Sequence, residues 1–272
     1  MVRTQSNGTG PARPIPGVPG VLDADAARAT GEWIASVQRP SGEIPWFTGG
    51  HTDPWDHTES AMGLSVAGQW EAAEKAYGFL RDTQRADGSW PVRWQDGEVV
   101  DSDTDSNFCA YVAVGVWHHH LVTARPGFLE SMWPTVRRAL DLVLTFQGPQ
   151  GQMWWGSGEG GFTDGALVTG SSSIHHALRC GVAIAEELGE TAPDWDAAAH
   201  RLGHALRAHP ELFTPKDEFS MDWYYPVLGG VMVGEQAQAR LDSAWDRFVV
   251  DGLGIRCVDH RPWVTGAETC DR

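Results

Sequence analysis

The stretch Lys75–Trp90, KAYGFLRDTQRADGSW, decides how this chain folds. A counterpart lies upstream at Ala29–Trp46, ATGEWIASVQRPSGEIPW, and another downstream at Arg138–Trp155, RALDLVLTFQGPQGQMWW. Each has a small residue, an aromatic or aliphatic pair, a Gln, a Gly four residues later and a Trp close behind. Gln38, Gln84 and Gln147 therefore take one role, followed by Gly42, Gly88 and Gly151. The physical sense is a helix that ends at the Gln and turns through a glycine at positive φ. The Gln amide is then free to hydrogen-bond the backbone of a neighbouring segment while the Trp packs over it. Such a unit closes one helical hairpin against the next, and its repetition sets the architecture.

Around these corners the reading is helical. Apolar residues recur at spacings of three and four over 22–38, 58–69, 71–84, 106–121, 127–147, 172–188, 195–209 and 235–249. No sustained period-two run is present, and the gaps carry Gly, Pro or Asp, which predicts an all-α chain with loops at two ends. Residues 1–20, rich in Gly, Pro, Ser and Thr, read as a disordered arm. Residues 21–272 read as one domain of nine or ten helices, an (α/α) toroid of about five of six hairpins, truncated at its C-terminus.

Composition narrows the function. Lys plus Arg number 20 against 36 for Asp plus Glu, a net charge of −16. So negative a chain does not suit nucleic acid or an anionic membrane. The four cysteines are scattered without a CxxC pair and read as reduced thiols, which with no secretory leader and no apolar run of membrane-spanning length predicts a cytoplasmic protein. Fourteen Trp beside four Tyr suggest a surface lined with indoles.

The three corners resemble the QW repeat of the squalene and terpenoid cyclases and the related protein prenyltransferase β subunits. The likeness covers residues 22–155 by motif, and Lys75–Trp90 matches in full. The segments DTDSNFCAYVAVGVWHHHLV, MWPTVRRALDLVL, MDWYYPVLGG and PWVTGAETC also look like actinobacterial prenyltransferase-like proteins. The resemblance implies an (α/α) toroid with an aromatic cavity for an isoprenoid or similar apolar small molecule.

Three acidic clusters could carry chemistry. In Asp101-Ser-Asp103-Thr-Asp105-Ser-Asn107, Asp105 or Ser106 can cap the helix over 106–121, with the other acids favoured by its dipole. The resemblance implies instead a proton source at Asp103 and Asp105, although the Asp-x-Asp-Asp box of class II cyclases is here Asp-x-Asp-x-Asp. In Gly49-Gly-His51-Thr-Asp53-Pro-Trp55-Asp56-His57-Thr-Glu59, Asp53 caps a helix with Pro54 at its first position and Asp56 at its third. Capping leaves Glu59, His57 and Trp55 unaccounted for, and a loop at a helix end is where sites collect. Asp222 with Trp223 and Tyr224, and Glu268 in PWVTGAETC, complete a set of acids at predicted helix N-termini. Together they predict an acid-lined funnel at one mouth, with Trp46, Trp55, Trp90, Trp94, Trp155 and Trp223 as candidate stacking surfaces and half or more of the indoles in the core.

The resemblance also raises zinc, through Asp105, Cys109 and His175 or His176, against Cys109 as a small core residue. No cofactor is otherwise expected. An Asp-Asp-x-x-Asp box, a phosphate loop and a GxSxG elbow are all missing from the sequence. Gly156–Gly161 reads as a flexible loop. The leading expectation is a cyclase- or prenyltransferase-like transferase or isomerase. The alternative is a carbohydrate-active (α/α) barrel in which Asp53, Asp56 or Glu59 faces Asp222 or Glu268 as acid and base, since indoles stack on sugar rings as readily as on cations. A toroid used only as a binding scaffold is the third reading.

Overall fold

The computed structural model describes Ile15 and residues 23–163 and 165–270. The expected N-terminal arm thus lies outside the described residues, Ile15 apart. Eleven helices are present among the described residues: α1 (Ala24–Val37), α2 (Pro54–Val66), α3 (Trp70–Thr83), α4 (Ser106–Thr123), α5 (Phe128–Leu144) and α6 (Val168–Glu187). They continue with α7 (Pro193–Ala208), α8 (Ser220–Leu228), α9 (Gly234–Asp242), α10 (Trp245–Phe248) and α11 (Gly266–Cys270).

The odd-numbered helices α1 to α7 form an outer layer and α2, α4, α6 and α8 an inner one, each inner helix packing on the next. Sequence explains the division. The outer helix α5 buries Leu129, Met132, Val136, Leu140 and Val143 along one stripe and turns Glu130, Arg137 and Asp141 outward. The inner helix α4 is apolar all round, burying Cys109, Val112, Val114 and Val116 together, as a helix covered on every side must. The toroid expected from the Gln corners is therefore present.

The corners themselves repeat atom for atom. Gln38 Nε2 donates to Gly42 O and across to Ala72 O of α3. Gln84 does the same to Gly88 O and Thr135 O of α5, and Gln147 to Gly151 O and Ala198 O of α7. In the last two, the Gln Oε1 accepts from Arg138 and Arg201 of the helix it reaches. Each corner thereby ties the end of one outer helix to the flank of the next.

The connections at the two ends differ in length. Inner-to-outer links are short, at 67–69, 124–127, 188–192 and 229–233, whereas outer-to-inner links run through 38–53, 84–105, 145–167 and 209–219. A fifth long link, 243–265, leads from α9 to α11. All the strands lie in the long links: β1 (His51–Thr52), β2 (Arg93–Gln95), β3 (Glu98–Asp101), β4 (Thr104–Asp105), β5 (Gly156–Gly158), β6 (Gly161–Phe162), β7 (Val249–Val250) and β8 (Gly254–Ile255). Antiparallel sheets β1-β2-β3 and β4-β5-β6 join the first link to the second and the second to the third. Thr214 N to Ala166 O, 2.8 Å, joins the third to the fourth, and Asp259 N to Glu218 O, 3.0 Å, the fourth to the fifth. The result is a laced collar around one mouth.

Three expectations are corrected here. Strands exist, but at two to four residues each they are too short for a period-two pattern to register. The run Gly156–Gly161 is a hairpin, with Gly158 opposite Gly161, rather than a flexible loop. The helix read over 235–249 is also broken, at Ser243–Ala244, into α9 and α10.

Candidate functional site

The mouth gathers the N-termini of α2, α4 and α8. Asp53 caps α2, Oδ1 accepting from the backbone N–H groups of Trp55 and Asp56, and Oδ2 accepts from the Trp46 indole at 2.6 Å. Asp105 repeats this at α4: Oδ1 accepts from Asn107 and Phe108, and Oδ2 from the Trp155 indole at 2.7 Å. Two exposed indoles thus stand as walls with their N–H groups turned onto capping carboxylates. At α8, Asp222 accepts from the Thr169 hydroxyl at 2.6 Å and its N–H at 3.2 Å, which docks α8 on α6.

Between these caps, Trp55 is ringed by Phe108, Tyr111 and Tyr225 with centroids 5.6 to 6.0 Å away. Its indole N–H donates to Glu59 at 2.7 Å, and the Tyr111 hydroxyl donates to the same oxygen at 3.1 Å. The contact with Tyr225 brings the start of α2 near α8 at the mouth. Glu268 on α11 is buried, and its carboxylate receives the Cys257 thiol. Ser220 N donates to Cys257 O, so that this pair stands at the start of α8, two residues from Asp222.

Electrostatics single out one acid. Desolvation by the surrounding groups pushes the Asp56 carboxyl up to about 8, helped by the charge of Asp53, a hydrogen bond shared with it, and the charge of Glu59. The residue as a whole is exposed to solvent, as a group serving a substrate must be. Burial also lifts Asp105, to about 6, against the hydrogen bonds from Phe108, Trp155 and Asn107 that hold it down. Asp222 is raised by burial, with Thr169, Arg240 and Lys216 opposing.

Other candidates stand elsewhere. Asp103 is exposed on the collar. Trp90 is 1% exposed, its N–H satisfied by Leu80 O, and Trp94 packs edge-on to Phe79; both fill the core. Trp223 donates to Arg240 O and stacks on Phe248, and with Tyr224 it belongs to a buried cluster beside α9. Tyr111 and Phe108 escaped the sequence reading, although both lie within two turns of the Asp105 cap. Cys109 is buried with its thiol pushed up to about 12, and no group of three metal-binding side chains occurs among the described residues. No helix among them is long and apolar enough to cross a membrane.

His57 points inward. Its Nδ1 accepts from Ile44 N and its Nε2 donates to Ala76 O, so it is neutral, and burial lowers it to about 4. The unfolded chain takes up a proton near pH 6.5 that folded His57 refuses. Unfolding free energy should therefore fall as pH drops from 6.5 towards 4, which urea midpoints at pH 7 and pH 4.5 will measure. A midpoint that does not move would contradict this placement.

Two concavities flank the carboxylates, one of about 250 Å³ along Asp103, Asp105, Phe108 and Trp155, and one of about 370 Å³ along Lys216, Asp222, Trp223 and Arg240. The larger groove of about 1010 Å³ lies between α6 and α7 around the 188–192 turn, away from these acids.

No protein-family model matches the chain. It is 56% identical, over 257 residues, to the MMP endo-(1,4)-3-O-methyl-alpha-D-mannosidase of Mycolicibacterium hassiacum, a match that spans 94% of this chain and 72% of the relative. Among solved structures, an endo-β-1,4-glucanase of Acetobacter xylinum superposes with a TM-score of 0.61 at 11% identity, over 89% of this chain and 85% of the other. A wild-type glycosidase gives 0.66 at 18% identity, over 88% and 73%. These structural likenesses concern the fold alone.

The mannosidase overturns the terpenoid cyclase and prenyltransferase resemblance, and with it the transferase or isomerase reading. The physical reason is that the Gln–Gly–Trp corner locks outer helices together, a task that every (α/α) toroid has, so it carries no information about the reaction. At 56% identity over most of both sequences, the chain belongs to the family of the MMP endo-(1,4)-3-O-methyl-α-D-mannosidase.

Proposed function

We infer that this chain is a glycoside hydrolase that cuts within α-1,4-linked chains of 3-O-methyl-mannose, the activity named for its relative. The observation that carries the reading is the 56% identity to a mannosidase, and the candidate acid is Asp56 at the start of α2, with Asp53 and Glu59 beside it and its carboxyl pushed up to about 8. A glycosidase needs such a proton for the departing oxygen as the C1–O bond breaks. The partner carboxylate is best assigned to Glu268. Its neighbour is a thiol, a weak donor, which leaves an oxygen for the water that adds to C1. Asp222, held by two bonds from Thr169, has the structural task of docking α8 on α6. Trp55, with Glu59 and Tyr111 behind it, offers a stacking face for a pyranose.

The test is incubation with a 3-O-methylated α-1,4-mannose chain, read by mass spectrometry. Shorter chains, each cut having taken up one water, are expected from the wild type and not from Glu268→Gln, while Asp222→Asn keeps measurable turnover. An intact substrate with well-folded wild type would remove the hydrolase reading.

A further inference from the structure

Eight of the twelve exposed large apolar side chains among the described residues lie on the five long links that form the collar. Scattered singly, such residues need no explanation, but their concentration on one face does. Trp46 and Trp155 are accounted for by the carboxylates they hold. Phe47 precedes β1, Val99 and Val100 lie on β3, Phe162 on β6, Leu253 in the β7–β8 turn and Trp263 ahead of α11. Val100, Phe162 and Trp263 are 57%, 52% and 58% exposed, and Leu253 70%. They are spread over the collar: Phe47 on the link into α2, which carries Asp56, the Val pair on β3 of the next link, and Leu253 and Trp263 on the link into α11, which carries Glu268.

Accepting the hydrolase reading, on which this rests, we propose that the collar is an extended binding surface that recognises the O-methyl groups of a glycan chain on either side of the bond to be cut. An enzyme that cuts inside a polymer must hold several units flanking that bond. Methylation at O3 removes a hydroxyl donor and adds a methyl group that gains from apolar contact, roughly fourfold in affinity for each one buried. The collar is patterned for such a ligand. At β3 the pair Val99 and Val100 sits among Glu98, Asp101 and Asp103, acceptors for the hydroxyls that remain. A continuous hydrocarbon would want an unbroken apolar patch, and an anionic lipid surface would be repelled by a chain of net charge −16. The strand lacing between links fixes these groups before the ligand arrives, so little ordering entropy is lost on binding.

The experiment is calorimetric binding of α-1,4-mannose chains of about eight units, with and without O3 methylation, to wild type, to the double variant Phe47→Ser/Val100→Ser and to Trp263→Ser. Circular dichroism melts confirm that the variants fold. Wild type should bind the methylated chain at least tenfold more tightly than the plain one. Each variant should lose at least fivefold on the methylated chain and under twofold on the plain one. Equal losses on both chains, no loss on either, or no binding of the methylated chain by wild type would overturn the proposal. So would variants that lose affinity for phosphatidylcholine vesicles while keeping it for the methylated chain. Cleavage is scored separately: methyl-dependent binding without cleavage upholds the collar and defeats the hydrolase reading, whereas cleavage with collar-independent binding does the reverse.

Discussion

Replacing Asp56 by Asn should lower kcat on the 3-O-methylated chain by about 10³-fold at pH 6, the order expected for loss of a general acid, with little change in melting temperature. The amide fits the same place at the third position of α2 and leaves the Asp53 cap to Trp55 untouched. The pH behaviour makes the prediction specific. Asp56 is pushed up to about 8 by burial and by Asp53 and Glu59, so the donor stays protonated through neutrality and is lost as pH rises past about 8. The kcat/KM profile of wild type should therefore fall on its alkaline side with an apparent pKa near 8. Glu59→Gln removes one of the raising charges and should move that limb to lower pH. Stability should run the same way: folded Asp56 keeps a proton that the unfolded chain releases near pH 4, so the carboxyl weakens the fold progressively from pH 4 to 8. Asp56→Asn should consequently be the more stable protein at pH 8 and lose that advantage at pH 4. An alkaline limb that persists in an active Asp56→Asn variant would show that another group donates the proton.

Much of the architecture could be read from residue order because its determinants are local. A helix that ends in Gln, then Gly four residues on, is a self-contained turn, and the sequence Asp53-Pro54 carries its own cap. The site was legible only in part. Asp53, Asp56, Glu59, Asp105, Asp222 and Glu268 were expected at one mouth because of their place near helix starts, an expectation read from the order of residues alone. Which indoles meet substrate was not legible. Trp90 stands two residues after its corner glycine, a position buried in all three corners (Ile44 3%, Trp90 1%, Met153 1%), whereas Trp46 and Trp155 stand four after theirs and are 52% and 46% exposed, a register difference that the sequence reading passed over. The chemistry was the least legible of all. A corner that only ties outer helices together pointed to the wrong reaction, and the correction came from the 56% identity to a mannosidase over 257 residues.

The corner has its own large consequence. Gly88→Ala should destabilise the fold by about 2–4 kcal/mol, which in a chain of this size is a fall in melting temperature of roughly 5–15 °C. Two costs combine. Gly88 sits at φ +96°, which an L-residue adopts under strain, and a Cβ there would lie 2.4 Å from the Arg138 carbonyl oxygen. That oxygen belongs to α5, the helix to which Gln84 donates at Thr135 and from which Arg138 returns two bonds to Gln84. Relief of the clash must therefore push α5 away and stretch the lock between neighbouring hairpins. Gly97 separates the two costs, being at φ +84° with open space where a Cβ would go. Gly97→Ala should cost only the strain of its dihedral, about 1 kcal/mol. Equal melting temperatures for the two variants would mean that the close approach of the corner to α5 contributes nothing to holding the hairpins together.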